Sequence, residues 1–123
     1  MIIGFLPLDS RPCTYDFPVQ LAKQAGAQVI LPPKGYILDY KEQSDTARNL
    51  QWLKGIAPHC DALVISAEQL LHGGLIQSRK ARMSADDQLA VLLELERIKQ
   101  TTPRLKIFLS TVLMRTSIST LSE

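Results

Sequence analysis

The chain has 123 residues, 46% of them apolar and 21% charged, with a formal net charge of +2. That is the balance of a globular domain able to bury a core of its own. Lys and Arg are spread along the chain, with Arg79, Lys80 and Arg82 the largest basic cluster, so nucleic acid is excluded as the expected partner. No apolar run is long enough to span a bilayer, and Asp9 and Arg11 interrupt the N-terminal run too early for a secretory leader, so the expected compartment is the cytoplasm. Cys13 and Cys60 are then expected to be free thiols.

The elements alternate. Ile2 to Leu6 reads as a buried strand, and a polar loop follows at once with Asp9, Ser10, Arg11 and Cys13. Asp16 to Gln24 reads as a helix with Pro18 in its first turn and with Phe17, Leu21 and Ala22 on one face; Gly26 stops it. Gln28 to Leu31 is a short strand closed by Pro32 and Pro33, and the loop after it carries Tyr36 and Tyr40. Ser44 is the expected cap of a helix over Asp45 to Ile56, with Leu50, Leu53 and Ala57 along one stripe and Pro58 beyond its end. Ala62 to Ser66 is the third strand, and Ala67 to Met83 reads as a long connection. Ser84 and Asp87 are spaced as a capping box for a helix over Ala85 to Thr101 that carries Leu89, Leu92, Leu93 and Ile98. Leu105 to Leu109 is the fourth strand, and the remainder is rich in Ser and Thr.

Apolar strands separated by helices specify a parallel sheet covered on both faces, with right-handed crossovers. The expected fold is a three-layer αβα sandwich, Rossmann-like or flavodoxin-like, with strand order 2-1-3-4. It forms a single α/β domain over residues 1–123. With no helix after strand four, one flank is thinly covered. The expectation is therefore an N-terminal part of a longer protein, its flank completed by C-terminal domains or by a second copy.

Order 2-1-3-4 puts the topological switch point between strands one and three, where the loops diverge and ligands bind in such sheets. The first loop offers Asp9, Ser10 and Arg11; the third offers Glu68, Gln69, His72, Gly73, Gly74, Ser78 and Arg79; the fourth offers Ser110, Thr111 and Arg115. Arginine grips carboxylate or phosphate in a two-pronged fashion, which makes Arg11, Arg79 and Arg115 candidate anion contacts. The structural alternative is that Asp9 pairs with Arg11 or caps the following helix. Gly73-Gly74 reads either as a turn needing positive φ or as a close approach to a ligand. Neither GxxxxGK[ST] nor GxGxxG is present, so the sequence gives nucleotide binding only weak support and names no particular cofactor. Asp9, Glu68 and His72 are the candidate acid–base groups. Asp9, Glu68 and His72 as metal ligands lack a recognisable spacing, and no metal is expected. Cys13 with His72 would make a nucleophile–base pair, and Asp9 with Glu68 a glycosidase-like carboxylate pair. His59 precedes strand three, at the opposite end of the sheet, and reads as structural.

The stretch Phe5-Leu6-Pro7-Leu8-Asp9-Ser10-Arg11-Pro12 resembles the N-terminal signature of a bacterial family known as domain of unknown function 4127. Leu31-Pro32-Pro33, Ser66 through Leu75 with Ser78-Arg79, and Arg115 agree with it, so the resemblance covers essentially the whole chain. It implies a longer protein of which this is the N-terminal part. Two positions depart from the pattern: the family has a second acidic residue where Ser10 stands and a tyrosine where His72 stands. The first weakens a paired-acid mechanism and the second weakens His72 as an essential catalyst. No activity comes with the resemblance. Two readings follow from the residues: an enzyme, hydrolase-like, acting on a small polar or anionic molecule such as a sugar derivative; or a non-catalytic anion-binding or domain-interaction module.

Overall fold

A computed structural model describes residues 1–33, 35–37, 44–74 and 84–111. Four strands, β1 (Ile2–Leu6), β2 (Gln28–Ile30), β3 (Ala62–Ser66) and β4 (Lys106–Ser110), form one parallel sheet in the order β2-β1-β3-β4. The register sets Gly4 beside Leu63, Leu6 beside Ile65 and Leu63 beside Ile107. Among the described residues, helices α1 (Asp16–Gln24), α2 (Thr46–Ile56), α3 (Ala67–His72) and α4 (Ala85–Thr101) pack on it. A short 3-10 turn, Ala57–His59, joins α2 to the approach to β3.

Successive strand residues point to opposite faces, and the two faces are covered differently. On one, Leu6, Leu63 and Ile65 are fully buried and join Leu53 and Ala57 from the α2 side, Leu70 of α3 and Leu95 and Ile98 of α4 in the main core. On the other, α1 lays Pro18, Val19 and Ala22 over Ile3, Phe5, Val29 and Val64, around a cavity of about 100 Å³. The result is three layers, α1 on one side and α2, α3 and α4 on the other. Gly4 is needed at its place: a Cβ there would stand 2.6 Å from Ile56 Cδ1 and 2.7 Å from Leu63 Cδ2.

Several local expectations change. On α1, Phe17 and Leu21 are 57% and 67% exposed, and Val19 is buried instead. The helix holds two candidate apolar stripes, and its rotation is set by the entry turn, where Tyr15 N and Phe17 N donate to the carbonyls of Arg11 and Pro12. On α4 the same ambiguity is resolved toward Leu95 and Ile98, leaving Leu89, Leu92 and Leu93 exposed. The cap of α2 is Asp45, whose carboxylate accepts from Arg48 N at 3.2 Å; Ser44 is buried and its N–H donates to Gly73 O. The supposed connection after β3 begins with α3, too short to show a hydrophobic period. β2 ends at Ile30, and β4 starts one residue later than expected, because Leu105 N still donates to Thr102 O in the turn that precedes the strand. Ser84 does cap α4, accepting from Asp87 N at 3.1 Å.

Candidate functional site at the carboxyl edge of the sheet

The loop leaving β1 is built around one carboxylate. Asp9 is 1% exposed, yet its oxygens face four donor groups. Oδ1 accepts from Arg11 N at 3.0 Å, the side-chain-to-backbone bond of an Asx turn, and from the Thr14 hydroxyl. Oδ2 accepts from Arg11 Nε and Nη2, each at 2.8 Å. The Arg11 carbonyl in turn accepts from Thr14 N and Tyr15 N, which leads the chain into α1. A charged group this deep is tolerated only when paired and hydrogen-bonded, and here a neighbour two residues away supplies the pairing. The Arg11 side chain remains 40% exposed, so its guanidinium is held rigidly at the surface of the edge. Ser10 and Cys13 are exposed beside it, Cys13 as a free thiol.

The loop leaving β3 turns directly into α3. Ser66 caps it, its hydroxyl accepting from Gln69 N at 3.4 Å. Glu68 lies in the first turn, only 8% exposed, where a negative charge suits the helix N-terminus. Its Oε2 accepts from the Thr111 hydroxyl at 2.7 Å, just past β4, and its Oε1 accepts from Ser66 Oγ at 3.5 Å. Three strand ends are thereby tied: β3 to β4 through Glu68 and Thr111, and β3 to β1 through Gln69, whose Nε2 donates to Leu8 O at 2.9 Å. Asp9 and Glu68 each stand one residue from that last bond.

Beneath it lies a second amide. The Leu8 carbonyl can only accept, so it orients Gln69 with Nε2 outward and Oε1 turned to Asn49, whose Nδ2 donates at 3.4 Å. Asn49 is 0% exposed and its Oδ1 is the one buried side-chain atom without a partner among the described residues. Asn49 shares a face of α2 with Leu53, four residues on; a polar residue in an apolar stripe is the signal by which sequence reading could have found it. Thr14 carries no such signal, because only the turn geometry brings its hydroxyl to Asp9.

Gly73 and Gly74 have φ of 81° and 145°, conformations that favour glycine. Their N–H groups donate to Gln69 O and Glu68 O, closing α3, and Gly73 O accepts from Ser44 N. These two amides act as the helix stop rather than as a ligand cradle. His72, half-buried, is the last residue of α3 rather than part of a loop; it stands four residues after Glu68, on the same face of the helix. Ser78, Arg79 and Arg115 lie outside the described residues. His59, at the other end of the sheet, takes no part.

Among the described residues no three His, Cys, Asp or Glu side chains come close enough to hold a metal ion. Cys60, remote from the edge and buried, has its thiol pKa pushed up by burial and, secondarily, by the Asp61 charge, against a smaller lowering from the Gly4 backbone hydrogen bond. No helix among the described residues is long and apolar enough to cross a membrane.

No curated protein and no solved structure matches the chain. A family model described as Protein of unknown function (DUF4127) matches residues 3–123, essentially the whole sequence, with the Asp9–Arg11 loop, Glu68, His72 and the glycine pair inside the match. The fold and that coverage agree with the resemblance read from the signature stretches, and the chain belongs to the DUF4127 family.

Proposed function

We propose that the edge between β1 and β3 binds a small polar or anionic molecule of the sugar-derivative class, and that the chain is the ligand-binding α/β part of a hydrolase-like cytoplasmic enzyme. The observation that carries this is the Asp9–Arg11 pair: a buried carboxylate fixes a part-exposed guanidinium at the carboxyl end of a central strand, where open α/β sheets bind ligands. Arg11 is the anion contact. Asp9 is its positioning residue, since Arg11 and Thr14 already occupy both its oxygens. Glu68, steadied by Thr111, is the acid–base group, with His72 on the same face of α3. Ser10, Gly73 and Gly74 wall the crevice; Ser78, Arg79 and Arg115 are further contacts on the strength of sequence alone.

Calorimetric titration with glucose 6-phosphate, glucuronate, glucose and inorganic phosphate tests it. The anionic sugars should bind the wild type, and Arg11→Lys, which keeps charge but loses the fork, should lose them. Absence of binding by every probe, or equal binding by Arg11→Lys, sinks the reading. A second reading, a non-catalytic anion-binding module, is favoured by the full engagement of Asp9. Glu68→Gln separates the two: in an enzyme it keeps binding and loses turnover of a nitrophenyl glycoside or phosphate ester, whereas a module binds with no turnover in either form.

A further inference from the structure

The two loops that wall the ligand edge meet at one buried side chain. Gln69 is 1% exposed, and its Nε2 donates at 2.9 Å to the carbonyl of Leu8, 61 positions earlier in the chain. Next to Leu8 stands Asp9, which fixes the Arg11 guanidinium. Next to Gln69 stands Glu68, which is tied to Thr111. The two ends of a glutamine amide have nearly the same shape, and only the nitrogen can donate to a carbonyl. Asn49 decides which end faces Leu8, because its Nδ2 donates to Gln69 Oε1 at 3.4 Å. A turned amide would set oxygen against oxygen at both places. Asn49 itself is 0% exposed, and its Oδ1 has no partner among the described residues. A buried acceptor left unpaired costs stability, and two apolar side chains of similar shape in place of such a pair are neutral or stabilising. Stability therefore does not account for the two amides. Orientation does, and departures from the most stable choice of residue are characteristic of functional sites.

We propose that Gln69, oriented by Asn49, is a positioning residue of the ligand edge and sets the gap between the Arg11 guanidinium and the Glu68 carboxylate. The proposal rests on the reading of that edge as a ligand site. Within the β1 loop, Asp9 binds Arg11 and Thr14, which makes the loop one unit. Those bonds lie inside the loop and do not hold it against α3. The bond from Gln69 to Leu8 does, and it fixes the whole unit at a set distance from Glu68. Groups that grip one small molecule from two loops depend on that distance, and a shift of about 1 Å is enough to impair them.

Two variants test this. Asn49→Leu keeps the branched shape and removes the orienting donor. It also exchanges one unpaired acceptor, Asn49 Oδ1, for another, Gln69 Oε1. The double variant Asn49→Leu with Gln69→Met makes the pair apolar, and it still reads the proposal if the single variant does not fold. The urea midpoint should change little in either variant. Calorimetric affinity for glucose 6-phosphate should fall about tenfold or more. Spin labels on Cys13, an exposed thiol of the β1 loop, and on Gln51→Cys of α2 read the position of the loop directly, since Cys60 is buried. Their distance distribution should broaden in both variants and stay narrow in Arg11→Lys, which loses the ligand without moving the loop. Unchanged affinity in both variants overturns the proposal, as does a loss that merely follows a fall in the urea midpoint. If the wild type binds no probe, the ligand reading fails and the spin-label distances decide the positioning role: broadening upholds it and an unchanged distribution overturns it.

Discussion

β3 and β4 lie side by side in register, five residues each, and look alike on paper: Ala-Leu-Val-Ile-Ser and Lys-Ile-Phe-Leu-Ser. Their fates differ. Leu63 and Ile65 of β3 are fully buried, while Phe108 and Leu109 of β4 are 56% and 44% exposed. Hydrophobic content therefore does not tell a central strand from an edge strand; neighbours do. β3 has β1 and β4 on its flanks, α1 over Val64 and the other helices over Leu63 and Ile65, whereas β4 has only β3 beside it among the described residues. The same contrast holds for the two loops of the ligand edge. The β1 loop satisfies its carboxylate within five residues of chain, while the β3 loop depends on Thr111, Leu8 and Asn49 from three distant segments.

The contrast between the strands is sharpest in core truncations. Leu63→Ala should cost about 3 kcal/mol by the loss of buried methyl groups and the cavity left behind, read by urea unfolding. Phe108→Ala should cost under about 1 kcal/mol, in keeping with a surface substitution. Equal losses would break the comparison. Next comes Gly4→Ala, which drives a methyl group into Ile56 and Leu63. Overpacking of this kind costs about 1–3 kcal/mol, and the double change Gly4→Ala with Leu63→Ala should recover part of it; strict additivity would show that the two sites do not touch. At the edge, Asp9→Asn replaces an acceptor by a donor that faces the Arg11 fork. A loss of about 2 kcal/mol is expected for a buried donor left unsatisfied, together with a mobile Arg11 side chain visible by nitrogen relaxation at Nε. A rigid Arg11 in that variant would remove Asp9 from its positioning role.

The smallest effect is a pH dependence. Burial raises the Cys60 thiol above its ordinary value of 9.0. Folding then favours the protonated form, so its contribution is complete below about pH 9 and is lost as pH rises through the folded value. Cys60→Ala should flatten the alkaline limb of the stability curve, measured by denaturant titration from neutral to alkaline pH; an unchanged limb assigns that loss to other groups. In the native protein a thiol reagent should label Cys13, which is exposed, well before Cys60.

Much of the fold was legible in the chain. The apolar runs placed the strands, Ser84 and Asp87 marked the start of α4, and the alternation of elements led to order 2-1-3-4. These are local signals, and nothing in the tertiary structure opposes them. What misled was rotation about helix axes. α1 and α4 each carry two apolar stripes, and only the turn before α1 and the seat of α4 beside Lys54 select Val19 over Phe17 and Leu95 over Leu92. α3 escaped because six residues are too few to show a period.

The candidate edge divides in the same way. By itself the sequence determined that a carboxylate and a guanidinium two residues apart would follow β1, and that Glu68 and a glycine pair would follow β3. Tertiary structure alone decided that Asp9 is enclosed and engaged by Arg11, that the Gly73 and Gly74 amides close a helix, and that Asn49 and Gln69 form a buried relay to Leu8. The reason is physical. Residue order specifies which groups are available within a turn, but desolvation and hydrogen-bond pairing depend on which distant groups the fold brings within 3 Å.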